Sequence, residues 1–551
     1  MKISKRLAGI LICGFTVLAL ASFSGDKKNF EVSKNMDIFS SIYKELNQFY
    51  VDSIIPEKTI RIAIDSMLAS LDPYTEYIPE SEGGDLKFLA TGEYGGIGSV
   101  ISYRMRDKRI IINEPYEGQP ADKAGLKTGD ALLEINGVDL STKTTTEASE
   151  LLKGEVGTKI KLKIERAESD KPLVFEIERK KIQYNPVAYY GIVGKSTGYI
   201  YLSTFNGKTS EEVKKAFEDL KSKGVTSLVL DLRGNTGGVL EESVQVVNFF
   251  VPRGQEVLTT KGKVKQWDRV YRTTQSPIDA DIPLAVLVND ESASASEIVA
   301  GALQDMDRAV IVGMRTYGKG LVQSVRTLPY NGQLKLTTAK YYIPSGRCIQ
   351  EIDYSHRKAD GGAPRIADSL TTQFRTSHGR VVRDGGGVLP DFINEPEKMR
   401  TISYYLLRDG HILDYGARYL RHHPSIAAAD QFALSDEDYT AFGKYLHEQK
   451  FTYEKQSVRL LKELKQVADF EGYSEEAKDQ LKSLEATFAN DLDKDLQEFK
   501  PEIKELLEAE IVKQCHYQKG VVIYSLKKDK DLKKALEVLG DPTLYKKTLN
   551  I

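Results

Sequence analysis

The chain has 551 residues, of which 41% are hydrophobic and 28% charged, and its formal net charge is −2. A chain this long exceeds one hydrophobic core, so several domains are expected. The near-neutral balance speaks against a nucleic-acid binder and against a partner selected by strong opposite charge.

At the N-terminus Lys2, Lys5 and Arg6 precede an apolar run from Leu7 to Ala21, and Ala19-Leu20-Ala21 is a small-x-small site. Residues 1–21 are therefore predicted to be a secretory signal peptide, being short and followed by the polar stretch Ser24 to Lys28. The mature protein is expected in the periplasm or otherwise outside the cytoplasm, and anchored at the inner membrane if the signal stays uncleaved. Cys13 lies inside the apolar run, which argues against a lipid anchor. Cleavage leaves Cys348 and Cys515, read as two free thiols. No cysteine–histidine cluster has zinc spacing, so neither a metal nor another cofactor is expected.

Residues 30–85 read as an N-terminal helical segment. Ile38, Ile42, Leu46 and Phe49, then Ile62, Ile64, Met67, Leu68 and Leu71, recur at helical spacings. Leu71-Asp72-Pro73-Tyr74-Thr75 closes the second helix, because proline cannot continue it.

Residues 90–182 open with Tyr94-Gly95-Gly96-Ile97-Gly98. Glycines there let successive backbone N–H groups approach a carboxylate closely. Pro120-Ala121-Asp122-Lys123-Ala124-Gly125-Leu126-Lys127-Thr128-Gly129-Asp130 and Ile135-Asn136-Gly137 follow, then a predicted helix from Ser141 to Lys153 and an alternating strand from Lys159 to Glu165. Together these motifs resemble a PDZ domain, which implies that an extended C-terminal peptide adds to an exposed strand edge. Gly95, Gly96, Ile97 and Gly98 would then bind the peptide's terminal carboxylate.

From 183 to 395 strands and helices alternate. Tyr199 to Leu202 is a predicted strand, Ser210 to Gly224 an amphipathic helix, and Ser227 to Leu232 a buried strand. That order implies an α/β unit with parallel neighbours, whose ligand sites collect at the carboxyl ends of strands. Arg233 to Gly238 lies at one such end. The next predicted strand, Pro283 to Val288, is followed by Asn289-Asp290-Glu291-Ser292-Ala293-Ser294-Ala295-Ser296-Glu297 and a helix to Asp305. Small hydroxyl residues at a strand-to-helix junction let a serine stand clear of the backbone, beside unpaired N–H groups of the helix start. Lys319, between Gly318 and Gly320, is the natural base, since small neighbours allow its ammonium to be desolvated. Gln323 could hold the lysine amine in line. A plainer reading has the three serines capping a helix and Lys319 solvated in a turn.

The run Ser-Ala-Ser-Ala-Ser-Glu-Ile, the downstream Gly-Lys-Gly-x-Val-Gln and the earlier Asp231-Leu232-Arg233-Gly234-Asn235-Thr236-Gly237-Gly238 resemble the C-terminal processing peptidases, or tail-specific proteases. The resemblance covers roughly residues 35 to 395. It implies a crotonase-like α/β core with Ser294 as nucleophile, Lys319 as base, Gln323 completing the site, and Ala295 with Gly237 or Gly238 as oxyanion donors. It also implies protein substrates with accessible apolar C-termini, and allows a homo-oligomer and a regulatory adaptor. Asp231 and Arg233 are expected to pair structurally rather than to act in catalysis. A serine–lysine amidase would need lysine three residues after the serine, where Glu297 stands. The remaining rival is an exported, non-catalytic PDZ scaffold.

Residues 396–551 are predicted to be largely helical, with Leu484, Phe488, Leu492, Leu496, Phe499 and Ile503 in one stripe and Pro501 starting or kinking a helix. No role is read for this region. The expected fold class is thus multidomain α/β (α+β): an N-terminal helical segment, a PDZ β-domain, the peptidase core and a C-terminal helical region.

Overall fold

The computed structural model describes residues 29–551 except 83, 85–87, 89–90, 168, 359–360 and 396–397, so the expected signal peptide lies outside the described residues. The chain divides into two units, one ending at Tyr77 and one beginning at Ile78. The first holds a helix over 29–49 and a second over Pro56–Ala69, with proline in its first turn where no intrahelical donor is lost. No helix among the described residues is long and apolar enough to cross a membrane.

The second unit begins with an antiparallel sheet of Ser99–Arg104, Arg109–Pro115, Ala131–Ile135, Val138–Asp139, Lys159–Glu165 and Leu173–Glu178, in which Ser99–Arg104 is an edge strand. Alternate residues such as Ile160, Leu162 and Ile164 face its core, as the two-residue period of a strand requires. The helix packed beside the edge strand runs from Thr145 to Leu152, starting later than predicted. Its start is fixed by a reciprocal capping box between Thr144 and Glu147.

The core sheet comprises β1 (Val187–Val193), β2 (Thr197–Leu202), β3 (Ser227–Asp231), β4 (Leu284–Val288), β5 (Val310–Gly313) and β6 (Phe392–Ile393), in that spatial order. β1 is antiparallel to β2, and every later pair is parallel. Parallel strands buried on both faces read as continuous apolar runs. Leu284, Val286 and Val288 of β4 enter one hydrophobic cluster while Ala285 and Leu287 enter another. The first face is covered by Thr209–Ser222, Leu240–Asn248 and α1 (Ala295–Asp305).

The second face is covered from far along the chain. α2 (Lys500–Ser525) contributes Val522, α3 (Lys530–Gly540) contributes Leu532, Ala535 and Val538, and α4 (Pro542–Leu549) contributes Tyr545 and Leu549. The Tyr545 hydroxyl also accepts the Leu284 N–H at 3.0 Å. Residues for which the sequence suggested no role therefore form the third layer of the α/β core.

The predicted stripe from Leu484 to Ile503 is not one helix. It is split into Lys478–Phe488, Leu492–Glu498 and the start of α2, because Asp491 caps the middle piece and Pro501 opens the last. α2 is interrupted at Tyr517, where φ is +54°. At that break the Tyr517 hydroxyl donates to Asp122 at 3.0 Å and Gln518 Nε2 donates to Glu114 at 2.7 Å. Nearby, Asp414 pairs with Arg104 at 2.8 Å and Arg106 at 2.5 Å. The helical region thus grips the β-domain with one end and the core sheet with the other.

Candidate active site

Three serines stand at the β4–α1 junction, and the structure separates their roles. Ser292 Oγ donates to Leu232 O at 2.8 Å and Ser296 Oγ donates to Asn235 O at 2.8 Å, both fully buried. These two hydroxyls stitch the junction to the neighbouring 232–235 loop. Ser294 alone of the three is partly exposed. It is the N-cap of α1 and has φ +56°, a region where a serine is strained. A strained strand–turn–helix elbow is one way a nucleophile is lifted out of its surroundings.

Behind the elbow lies Glu297, which has no solvent exposure. Its Oε2 accepts the backbone N–H of Ser294 and that of Lys319, each at 2.9 Å. Its Oε1 accepts the Gly318 N–H at 2.7 Å and the Thr316 hydroxyl at 2.6 Å. One carboxylate oxygen therefore ties together the two segments that carry the predicted nucleophile and base. Burial pushes the Glu297 carboxyl up to about 6, against the pull of its donors. In the sequence Glu297 reads as part of the serine-rich motif and of the helix start, with no role of its own. The signal for it was present, since Ser294-x-x-Glu297 is the spacing of a capping box.

Lys319 is half-buried in the loop between β5 and the strand Leu321–Thr327. Its glycine neighbours are there for space. A Cβ on Gly318 would lie 2.5 Å from Glu351 Cβ, and one on Gly320 would lie 2.9 Å from the Gln350 N. The backbone on either side of Lys319 thereby runs close against residues 350–351. Gln323 sits opposite Thr337 of the strand Gln333–Tyr342, next to a register shift at Val322/Gln323, and its Nε2 donates to Thr337 Oγ1 at 3.1 Å.

The loop after β3 closes on the elbow from the other side. Gly237, at φ +97°, lies so near it that a Cβ there would be 2.9 Å from Ser294 Cβ and from Ala295 N. Asn235 is buried and accepts the Ala293 N–H at 3.0 Å on its carbonyl oxygen. The two glycines the sequence left undistinguished differ in one respect. The Gly237 N–H donates to Asn235 Oδ1 at 2.9 Å, whereas the N–H groups of Gly238 and Ala295 have no acceptor among the described residues.

Arg233 anchors the same loop. It pairs with Asp231 in the geometry expected of a structural ion pair, and also with Asp529 and Asp531. Tyr199 donates to Asp231 at 2.6 Å from within the sheet.

In the β-domain, Gly95 and Gly96 lie in a short strand, Glu93–Gly96, paired with Lys180–Gln183, and Gly95 O accepts the Gly154 N–H at 3.0 Å. The Ile97 side chain is part of the domain's core. Gly98, at φ +72°, then turns the chain into the edge strand Ser99–Arg104. Cys348 and Cys515 are both free.

Comparison with known proteins places these parts. The model for peptidase family S41 matches residues 196–355, that for the PDZ domain 111–166, and that for the C-terminal helical domain of PDZ-proteases 402–539. Over 355 residues the chain is 37% identical to a carboxy-terminal-processing protease of Bartonella bacilliformis, covering 64% of this chain and 80% of that one. Over 294 residues it is 37% identical to a carboxyl-terminal-processing protease of Synechocystis sp., covering 53% and 68%. A solved photosystem II D1 C-terminal processing protease matches at 28% identity with a TM-score of 0.36, covering 65% of this chain and 93% of that one.

Proposed function

The chain belongs to the carboxy-terminal processing proteases of peptidase family S41, and from that premise we propose that Ser294 is its nucleophile and Lys319 its general base. Membership makes it a serine-type endopeptidase, and its PDZ domain is a module that binds peptide C-termini. The observation that carries the residue assignment is the shared Glu297 oxygen, which brings the Ser294 and Lys319 segments together. The engagement of Ser292 and Ser296 in buried bonds supports Ser294 over its neighbours.

In this reading Ser294 Oγ attacks the peptide carbonyl carbon and its proton passes to Lys319 Nζ. Lys319 must be neutral to accept it, a state that desolvation between small neighbours would favour. The N–H groups of Gly238 and Ala295 receive the oxyanion, a type of donor whose loss typically costs about 10²–10³ in rate. Lys319 then gives the proton to the leaving amine as the C–N bond breaks. Water, with Lys319 again as base, hydrolyses the acyl-enzyme ester. Gln323 orients the lysine. The PDZ domain holds the substrate's C-terminal residues through Gly95, Gly96, Ile97, Gly98 and the neighbouring edge strand, so apolar, accessible tails are cut near their ends. The charged-then-apolar start of the sequence supports export, with the reaction outside the cytoplasm.

The test uses the chain lacking residues 1–21 and its Ser294→Ala partner, each incubated with an unstructured polypeptide bearing an apolar C-terminus. Mass spectrometry should show cleavage near that end by the first and none by the second. Equal cleavage by both would remove Ser294 from the mechanism.

A further inference from the structure

We propose that Asp529 and Asp531, at the start of α3 in the C-terminal helical region, are positioning residues for the loop that supplies the oxyanion donor. This rests on the reading of Gly238 and Ala295 as those donors.

Arg233 opens that loop, and its guanidinium is clamped along both edges. Nε donates to Asp231 at 3.0 Å and Nη2 to Asp231 at 2.5 Å on one edge. On the other, Nη1 donates to Asp529 at 3.0 Å and to Asp531 at 3.0 Å, while Nη2 also reaches Asp529. A planar fork held bidentately on two sides has no free rotation, which a lysine at this place could not reproduce. Asp231 belongs to β3 and also accepts the Arg233 backbone N–H at 2.9 Å, so it fixes how the loop leaves the sheet. The other two carboxylates come from 296 and 298 positions along the chain. They are themselves held: Asp529 caps α3 by accepting the Leu532 N–H at 2.9 Å, and Asp531 accepts from Asn394.

Four residues separate Arg233 from Gly238. The middle of the loop is pinned by Asn235, whose Nδ2 donates to Leu202 O at 2.8 Å. Without Asp529 and Asp531 the guanidinium is held on its Asp231 edge alone. The start of the loop can then tilt relative to Ser294 while Asn235 and the Phe205 contacts of Gly237 and Val239 hold the rest. A displacement of about 1 Å at a reacting centre can cost about 10²-fold in rate. The α3 carboxylates are thus part of the site's support, though they touch no substrate.

The experiment compares the parent chain with Asp529→Asn/Asp531→Asn, using a quenched fluorogenic peptide with an apolar C-terminus and the aldehyde of the same sequence. Asparagine remains a good helix cap, so α3 stays capped. The expected result is a kcat lowered about tenfold or more, KM within about twofold, and a Ki for the aldehyde raised by the factor lost from kcat/KM. The midpoint of the pH–rate profile should stay where it is, since the lysine base is not touched. A folded double variant with parental kcat, or a lowered kcat with unchanged aldehyde affinity, overturns the proposal. If the double variant does not fold, Asp531→Asn alone decides: kcat reduced about threefold sustains the role, and parental kcat ends it. Ser294→Ala runs alongside. Cleavage that survives this substitution brings down the underlying functional reading, and this inference with it.

Discussion

The Thr316 hydroxyl donates to Glu297 Oε1 at 2.6 Å and accepts the Val388 N–H at 2.7 Å, with no solvent on either side. It is the only side chain among the four donors that Glu297 accepts from; the rest are backbone amides. Thr316→Val keeps the shape and removes the hydroxyl, leaving a buried N–H and a carboxylate oxygen each one partner short. The expected loss is about 1–3 kcal/mol of stability. A fall in kcat should accompany it, because Glu297 loses one of the three donors that tie it to the loop carrying Lys319. Thermal unfolding and steady-state kinetics on one preparation read both.

Glu297→Gln should do more damage at nearly constant volume. An amide offers one acceptor oxygen where the carboxylate offers two, and its NH₂ would face two donors. Activity is expected to fall about 10²-fold, as for other lost site supports, with the fold retained by circular dichroism. Parental kcat in this variant would show that joining the Ser294 and Lys319 segments is not needed for turnover.

The three serines should part company when each is replaced. Ser292→Ala and Ser296→Ala each strand a buried partner and should cost about 1–3 kcal/mol while leaving a working nucleophile. Ser294→Gly should abolish cleavage and raise the melting temperature, since it relieves a backbone strain of order 1–3 kcal/mol at φ +56°. An inactive protein more stable than its parent would be the signature.

His411 gives the contact between the helical region and the PDZ domain a pH dependence. Burial, reinforced by Arg106 and Arg104, lowers its pKa to about 4. Its Nδ1 lies 3.2 Å from Arg106 Nη1, a spacing that suits a neutral ring accepting from the guanidinium. A histidine depressed in the fold contributes stability that is present above its ordinary value near 6.5 and is lost as pH falls toward 4. Glu297, raised to about 6, works the other way: its contribution declines as pH rises from its ordinary 4.5 through 6. Replacing each in turn and following the melting temperature from pH 4 to 7 should remove slopes of opposite sign. The same sign in both would refute the assignment.

Asp414 carries two arginines of the β-domain, so Asp414→Asn should loosen that grip. Hydrogen exchange is expected to quicken in the hairpin between Ser99–Arg104 and Arg109–Pro115, with the core sheet unchanged. Unaltered exchange in the hairpin would mean that Tyr517 and Gln518 suffice to hold the domain.

Much of this architecture was legible because it is local. Leu284 to Val288 is apolar at every position, as a strand covered on both faces must be, and Lys159 to Glu165 alternates as a half-covered one must. Ser294, Lys319 and Gln323 could be picked out because their spacing belongs to a recognisable pattern. What escaped was long-range or ambiguous. Nothing near Arg233 in sequence points to Asp529, and the apolar positions of α3 and α4 do not say which surface they cover. The stripe from Leu484 to Ile503 has one period throughout, yet Asp491 breaks it by capping a new helix. Gly237 and Gly238 look alike in sequence, and only hydrogen-bond accounting at Asn235 tells them apart.

The late origin of the third layer bears on how such a molecule is made. Tyr199, Val229, Leu287 and Val312 lie under Leu532, Val538, Tyr545 and Leu549. A ribosome delivers the first four long before the last four. Until then one whole side of the parallel sheet is greasy and open, the condition in which nascent chains stick to one another or to chaperones. The clamp on Arg233 arrives in the same final stretch. Translation order therefore delays completion of the proposed site until the scaffold around it can close, and a message truncated upstream of Asp529 yields a chain with its sheet uncovered and Arg233 without its two α3 partners.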